Sequence, residues 1–335
     1  RALSAAEVAA LYDLEKPADP FETIFDFPGF ADASDDLSMV GVAALTTDNR
    51  ISPQGEVHRL RLTPSATSRR GATFYNQRVF LEDGFETEFE MQFSEASGSG
   101  SDNIFFLVAR NAPASTNPIS VDDNSHGPRL EIIFDSYKNS WDPSAASLYV
   151  RLNKGAVEST HRLDLTTIPG ISIAGNDLSN SGLSAPVHKA RVRYVPGDLD
   201  IWFDDVQVLA DHNVTLPRND ILDANGTGVV STMAYVGATA ENHDILSWKL
   251  KAKPAPNQAP AFAGSSTFTT AENNASASFT IGATDADGDV LTYAKSGADA
   301  DKFTLNASTG TLTFTNTPDY ETPASAAGNN AFSLT

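Results

Sequence analysis

The nine residues Phe85-Glu86-Thr87-Glu88-Phe89-Glu90-Met91-Gln92-Phe93 restrict the fold more than any other stretch of the chain. Apolar or small side chains occupy the odd positions and polar ones the even positions. A period of two fits a strand, whose successive side chains point to opposite faces; on a helix it would scatter the aromatic rings around the axis. Such a strand covers an apolar layer with one face and meets solvent with the other. His58-Arg59-Leu60-Arg61-Leu62 repeats the alternation, whereas Ile104 to Val108 is continuously apolar, the pattern of a strand buried on both faces. From about residue 21 to 250, runs of this kind are separated by clusters of Gly, Asn, Asp, Ser and Pro, with no helical periodicity between them. The spacing predicts an all-β fold, built as one large two-sheet sandwich.

The flanks read differently. Ser4-Ala5-Ala6-Glu7 is a capping box, and Val8, Leu11 and Leu14 give one apolar stripe, so a short helix is expected over residues 4–15, ended by Lys16-Pro17-Ala18-Asp19-Pro20. Residues 1–19 are therefore set apart from the sandwich at 20–252. Residues 253–260, rich in Pro, read as a semi-rigid linker, and strand-like segments resume over 261–335. The chain opens on Arg1 and closes in the strand-like run Ala331 to Thr335, the expectation for a segment cut from a longer protein.

Composition narrows the function. The 43 acidic residues against 23 basic ones, net charge -20, argue against nucleic acid or an anionic membrane surface as partner. The same excess suits carboxylate-rich cation sites, and equally serves solubility. Cysteine is absent, which removes disulfides, thiolate metal sites and cysteine nucleophiles. No apolar run approaches the ~20 residues a membrane span needs, so no membrane insertion is expected in this segment.

The segment richest in chemistry is Ile133-Phe134-Asp135-Ser136-Tyr137-Lys138-Asn139-Ser140-Trp141-Asp142-Pro143. A strand ends at Asp135, and the loop after it offers oxygen ligands from Asp135, Asn139 and Asp142, with the Tyr137 backbone carbonyl between them. Calcium takes about six to eight hard oxygen donors of these types. Asp, Asn and Asp in one loop are also ordinary turn chemistry, and the segment alone leaves both readings open.

In its surroundings the chain resembles the legume-type (L-type) lectins over nearly the whole of 21–250. Phe25-Asp26-Phe27-Pro28-Gly29-Phe30, Leu37-Ser38-Met39-Val40-Gly41 and Leu60-Arg61-Leu62-Thr63 are similar to that family's first strands. Gly71-Ala72-Thr73-Phe74-Tyr75, Ser101-Asp102-Asn103-Ile104-Phe105-Phe106-Leu107-Val108-Ala109 and His243-Asp244-Ile245-Leu246-Ser247-Trp248 follow in the family's order. The resemblance implies a concanavalin-like jelly roll and a calcium-dependent sugar site. By it, Asp135, Asn139, Asp142 and the Tyr137 carbonyl match calcium ligands. Asp102 matches the aspartate that accepts from two sugar hydroxyls, Asn139 donates its amide to the same sugar, and Tyr137 can lay its ring on a pyranose. Two positions depart from the family pattern. Ile133 and Ser147 stand where a second, transition-metal site has a Glu and a His, so calcium without manganese is expected. A glycine-rich segment that lends an N–H to the sugar is not apparent, Gly127 being the nearest candidate. The loop at Ala240-Glu241-Asn242, which sets specificity in the family, is short.

Residues 257–335 resemble a cadherin repeat, through Ala271-Glu272-Asn273, Asp285-Ala286-Asp287 and Pro318-Asp319-Tyr320-Glu321. This implies a small Greek-key cadherin/Ig-like sandwich, with Glu272, Asp285, Asp287 and Glu321 as further calcium ligands. Gly288 beside Asp287 and Asp289 reads equally as a plain turn. The helix over 4–15 resembles the closing element of a preceding concanavalin-like domain. The combined expectation is a lectin module of a secreted or cell-surface, adhesin-like bacterial protein, with a glycan or polysaccharide and its neighbouring domains as partners.

Two rivals are weighed. Glucanases share the sandwich, but a retaining glycosidase needs paired carboxylates about 5 Å apart. The nearest stretch, Glu131-Ile132-Ile133-Phe134-Asp135-Ser136, has Ile133 and Ser136 where further acids would stand. Glu86, Glu88 and Glu90 share a face that reads as a solvated strand surface. No enzyme is therefore expected. The other rival is a spacer domain whose sugar site has decayed; the presence of both Asp102 and Asn139 favours binding.

Overall fold

The structure, a computed structural model, describes residues 19–52, 55–98, 100–112, 127–140, 142–154, 157–173, 178, 185–286 and 288–335, with backbone alone over 47–52, 55–57, 153–154 and 157–159. The helix expected over 4–15 lies outside the described residues. The chain divides into two compact units at Pro254/Ala255.

In the first unit the strands are β1 (Glu22–Phe27), β2 (Leu37–Gly41), β3 (Ala44–Ser52), β4 (Gly55–Thr63), β5 (Arg69–Tyr75), β6 (Val79–Phe80), β7 (Phe85–Ser94) and β8 (Asn103–Ala109). There follow β9 (Arg129–Asp135), β10 (Ser147–Lys154), β11 (Val157–Asp164), β12 (Val187–Val195), β13 (Asp198–Phe203), β14 (Val206–His212), β15 (Thr227–Val236) and β16 (Asn242–Ala252). They form two antiparallel sheets. One runs β14-β13-β12-β7-β16-β4-β3 with β1 also on β16; the other runs β11-β10-β9-β8-β15-β5-β2 with β6 on β15.

The alternation in β7 orients the first sheet. Phe85, Phe89, Met91 and Phe93 are buried in the layer between the sheets. Phe89 faces Phe106 and Phe134 across the sandwich, with ring centroids 6.2 and 5.9 Å apart. Glu86, Glu88 and Glu90 point outward and lie between basic rows: Lys189 on β12 reaches Glu88 at 3.1 Å, Arg191 lies 3.9 Å from Glu86, and the Ser247 hydroxyl on β16 donates to Glu90 at 3.1 Å. The row is thus a paired solvated surface, as its period implied.

The continuous run of β8 is buried on both faces for a visible reason. Ile104, Phe106 and Val108 enter the inter-sheet core, while Phe105, Leu107 and Ala109 join Val40, Ala72, Ile133, Tyr149 and Met233 in a second apolar cluster on the other side of the same sheet. At the closing strand, Asp244 is fully buried and takes both arms of Arg61, at 2.8 and 2.9 Å, and Arg59 at 2.9 Å. These bonds lock β16 to β4. The Trp248 indole donates to Thr87 Oγ1 at 3.0 Å, fixing β16 against β7.

The second unit holds short strands only: β17 (Ala261–Phe262), β18 (Ser278–Thr280), β19 (Ala283–Thr284), β20 (Phe303–Asn306) and β21 (Thr311–Phe314). β17 pairs β19, and β18-β21-β20 form a three-stranded sheet. Phe303, Phe314 and Phe332 form its aromatic cluster, with centroids 4.4 to 5.7 Å apart.

Phe89→Ala is expected to cost ~3–5 kcal/mol of stability through the cavity it leaves between the sheets. Glu88→Gln, on the other face of the same strand, should change stability by no more than ~0.5 kcal/mol. Urea unfolding of both variants checks the assignment of faces.

Candidate functional site

Register brings the candidate residues together. In the second sheet Asn103 pairs with Asp135 on one side and Tyr235 on the other, and Asp135 pairs with Ser147. The start of β8, the end of β9, the start of β10 and the end of β15 therefore lie side by side. The segments leaving them, Ser101–Asp102, Ser136 to Ser140 with Asp142 to Ala146, and Gly237 to Glu241, lie at one end of the sheet.

Asp102 sits just before β8 with φ of 56°, in the left-handed region where an Asp is tolerated but not relaxed. Its carbonyl accepts from the Ser136 N–H at 2.8 Å, tying it to the loop after β9. Its Oδ2 is buried with no hydrogen-bond partner among the described residues. Gly237 packs directly against it: a Cβ there would come within 2.6 Å of Oδ2, so only glycine admits the carboxylate so close. Burial pushes the Asp102 carboxyl up to about 6; His243 and the Gly237 N–H oppose the rise, and the charges of Glu241 and Asp142 add to it.

Asp135, 2% exposed, ends β9. Its Oδ1 accepts from the Tyr137 N–H at 2.9 Å, the turn that starts the loop. Burial pushes its carboxyl up to about 8, against the Tyr137 N–H, and the negative charges of Asp142 and Asp102 push the same way. Asp142 Oδ2 accepts from the Asn139 N–H at 2.7 Å, and Oδ1 from the Tyr149 hydroxyl at 2.5 Å. Burial and that hydrogen bond both raise the Tyr149 hydroxyl above its ordinary range. The half-buried Asn139 side-chain amide makes no hydrogen bond among the described residues, and neither Asp135 nor Asp142 forms an ion pair with Lys or Arg there.

Asp102, Asp135 and Asp142 thus lie near enough for their charges to matter to one another, with partial hydrogen-bond compensation, and they are not among the acid groups whose oxygens all lie within 4.8 Å of one another. Asp135, Asp142, the Asn139 side-chain oxygen and the Tyr137 carbonyl are hard-oxygen donors of the kind a divalent cation takes. Beside it, Asp102 supplies a pure acceptor and Asn139 an N–H donor. Ile133 lies in the second apolar cluster and Ser147 is fully buried, its hydroxyl donating to the Ser144 carbonyl at 2.8 Å.

Several residues of the site were not singled out in the sequence. Glu241, His243, Ser101, Ser136 and Tyr149 are all buried around the three acids. Glu241 falls within the short loop before β16, and the buried polar His243-Asp244 pair inside an apolar strand was the one signal for His243. Gly127 stands before the first residue of β9, at the opposite end of the strand from Asp135, and so does not belong to the site. Glu131 is fully buried between Arg129, at 2.7 Å, and Arg151. An acid so paired is a structural ion and not an accessible general acid.

In the second unit Glu272, Asp319 and Glu321 bring carboxylate oxygens within 4.8 Å of one another, and Glu272 accepts from the Tyr320 N–H at 3.2 Å. Asp319 is the member the sequence reading left out. Asp285 is not in that group; it accepts from the Asp289 N–H at 3.3 Å and lines an apolar hollow of about 650 Å³. Asp287 lies outside the described residues. That hollow and a second of about 590 Å³ lie within the second unit, and no residue of the Asp102 and Asp135 site lines either.

Three comparisons bear on this geometry. The model of the Legume-like lectin family matches residues 49–258. The vesicular integral-membrane protein VIP36 of dog is 29% identical over 203 residues, covering 57% of this chain and 52% of VIP36, and the human protein matches equally. The chain spans about half the length of these curated relatives. Among solved structures, a Lotus tetragonolobus seed lectin is 19% identical, covering 70% of this chain and 100% of that one, at a TM-score of 0.49. The exoplasmic/lumenal domain of VIP36 in its Ca2+/Man-bound form is 20% identical, covering 64% and 82%, at 0.43.

The raised acids give a signed pH dependence. Without metal, the folded state keeps a proton on Asp135 from the ordinary 3.8 up to about 8, where the unfolded chain has lost it. Stability from this group is therefore full below 3.8 and falls as pH rises through that window. In chelator, the thermal midpoint should decline from pH 4.5 to pH 8, and Asp135→Asn should flatten the decline. Equal slopes in the two proteins would contradict the assignment.

Proposed function

The chain belongs to the legume-like lectin family, and from that premise we propose that residues 20–252 form a calcium-dependent carbohydrate-binding module of a secreted or cell-surface, adhesin-like protein. Proteins of this family bind carbohydrate and are non-enzymatic, so the glucanase alternative is set aside. One observation carries the calcium reading. Among the described residues, Asp135 and Asp142 are buried without an ion pair to Lys or Arg, next to an Asn139 side chain that makes no hydrogen bond there.

When bound, a calcium ion supplies positive charge to these acids and makes the loop rigid. Asp135, Asp142, the Asn139 side-chain oxygen and the Tyr137 carbonyl would hold it. The Asn139 amide N–H would then be left for a sugar, and Asp102, whose carbonyl accepts from the Ser136 N–H, would accept from a pair of sugar hydroxyls. Tyr137 offers its ring to the apolar face of the sugar. With Ile133 and Ser147 packed and bonded elsewhere, no second, transition-metal site forms beside the calcium. The loop at 240–242 is held down: Ala240 exchanges hydrogen bonds with Ser97, at 2.7 and 2.9 Å, and Thr239 donates to the Gly100 carbonyl. It leaves that side of the site low. A monosaccharide in so shallow a site binds weakly, so useful affinity comes from several sites acting together.

Residues 261–335 are proposed as a cadherin-like repeat, in which Glu272 and Glu321, with Asp319 beside them, hold calcium; Asp285 and Asp287 serve a separate site. No helix among the described residues is long and apolar enough to cross a membrane. VIP36 is known with calcium and mannose bound in its exoplasmic/lumenal domain, which makes a mannose glycan the first probe and an extracytoplasmic place the first to examine for this chain.

A glycan array with calcium, repeated in chelator and with Asp102→Ala and Asn139→Ala, tests the reading. Binding should be lost in all three cases. Binding indifferent to chelator and to both substitutions would place the ligand elsewhere, and none at all would leave a spacer domain.

A further inference from the structure

We propose that Glu241 is the positioning residue of this site, its buried carboxylate fastening the Asp102 segment and the cation loop to each other; the proposal rests on the reading of the site given above. Glu241 is fully buried, and Oε2 alone makes its contacts. It accepts from the Ser101 N–H at 3.2 Å and from the Ser136 hydroxyl at 2.7 Å, and lies 3.3 Å from His243 Nε2. Ser101 immediately precedes Asp102. Ser136 stands between Asp135 and Tyr137. One oxygen atom therefore ties the residue before the sugar acceptor to the first turn of the cation loop, 35 residues on.

The hydrogen-bond inventory identifies a carboxylate as the fitting group. Ser136 has one hydroxyl hydrogen and two acceptors in reach, Glu241 at 2.7 Å and the Asp102 carbonyl at 3.0 Å. The carbonyl already takes the Ser136 N–H at 2.8 Å, so the hydroxyl goes to the carboxylate, where the bond is shorter and charge-assisted. His243 Nε2 lies 3.3 Å from Oε2 without a hydrogen bond, while its Nδ1 shares a hydrogen with Thr63 Oγ1 at 2.7 Å. The two groups that hydrogen-bond to Oε2, the Ser101 N–H and the Ser136 hydroxyl, are both donors. Its partner Oε1 is buried with no hydrogen-bond partner among the described residues. Burying such an acid is costly. What it does here is geometric: Ser136, held at its hydroxyl by Glu241, holds Asp102 at the carbonyl, and so keeps the strained backbone of Asp102 and the turn at Asp135 in one arrangement before any ligand arrives.

Calcium itself is the probe, titrated calorimetrically into the full chain carrying Glu272→Gln, Glu321→Gln and Asp200→Asn, so that the acid groups of Glu272, Asp319 and Glu321 and of Asp198, Asp200 and Asp211 are weakened and the lectin loop is measured. Glu241→Leu, which has no acceptor, should weaken calcium binding about tenfold or more, the worth of a hydrogen bond to a charged group. Glu241→Gln, whose carbonyl can take the place of Oε2, should recover part of the loss. Ser136→Ala should weaken binding too, and add little in the Glu241→Leu background, because both act through one bond. Unchanged calcium affinity in folded Glu241→Leu protein, with only the melting temperature lowered, would show a merely structural role and overturn the proposal. So would additive losses in the double variant. A parent chain that binds calcium but no glycan would instead overturn the carbohydrate reading and leave this test intact; one that binds no calcium overturns both.

Discussion

Carboxylates taken out of water at the end of a β-sheet are the constraint around which this domain is arranged. Asp135 and Asp142 are almost wholly buried, Asp102 partly so; the charges of Asp142 and Asp102 add to the rise at Asp135, and that of Asp142 to the rise at Asp102. Hydrogen bonds from Tyr137, Asn139 and Tyr149 offset some of the cost, but among the described residues no Lys or Arg forms an ion pair with Asp135 or Asp142. Two remedies remain, protonation or a cation. The upward shifts of Asp102 and Asp135 describe the first, and the hard-oxygen donor set around them describes the second.

The sheet behind the acids is what lets them be placed so closely. β8 and β9 are buried over their whole length, β8 between two apolar layers and β9 with the Arg129, Glu131 and Arg151 ions on its outer face, so their ends form a rigid rim. Loops hung from that rim are fixed by register and not by their own propensity. The same economy explains the first sheet, where outward Glu, Lys and Arg rows pair across strands and the inward aromatic residues fill the core. The chemistry sits at the rim, where strand ends leave backbone carbonyls and N–H groups free to serve a ligand.

Much of this was legible in the residues. Alternation at Phe85–Phe93 and the unbroken run at Ile104–Val108 specify which strands face what, because burial on one face or two leaves a direct trace in the pattern. Asp135, Asn139 and Asp142 are close in the chain, so their grouping is visible as spacing, and register then adds Asp102. Glu241 is different. It meets Ser136 across 105 residues, and its neighbours Ala240 and Asn242 give no hint that the side chain turns inward. Asp319 likewise lay beside Glu321 in the motif, yet only the turn at Tyr320 shows that its carboxylate joins those of Glu272 and Glu321. Gly127 shows the converse error, since a glycine of the right type near a motif in the sequence stands at the far end of the strand.

The central claim is that the buried acids at the end of β9 answer to a calcium ion. Crystals of the chain grown with calcium and measured for anomalous scattering test it most directly. The account expects one peak in the first unit, about 2.3–2.6 Å from oxygens of Asp135, Asp142, Asn139 and the Tyr137 carbonyl. An empty loop in such crystals, with the Asn139 and Asp142 contacts unchanged and the calcium elsewhere, would contradict it.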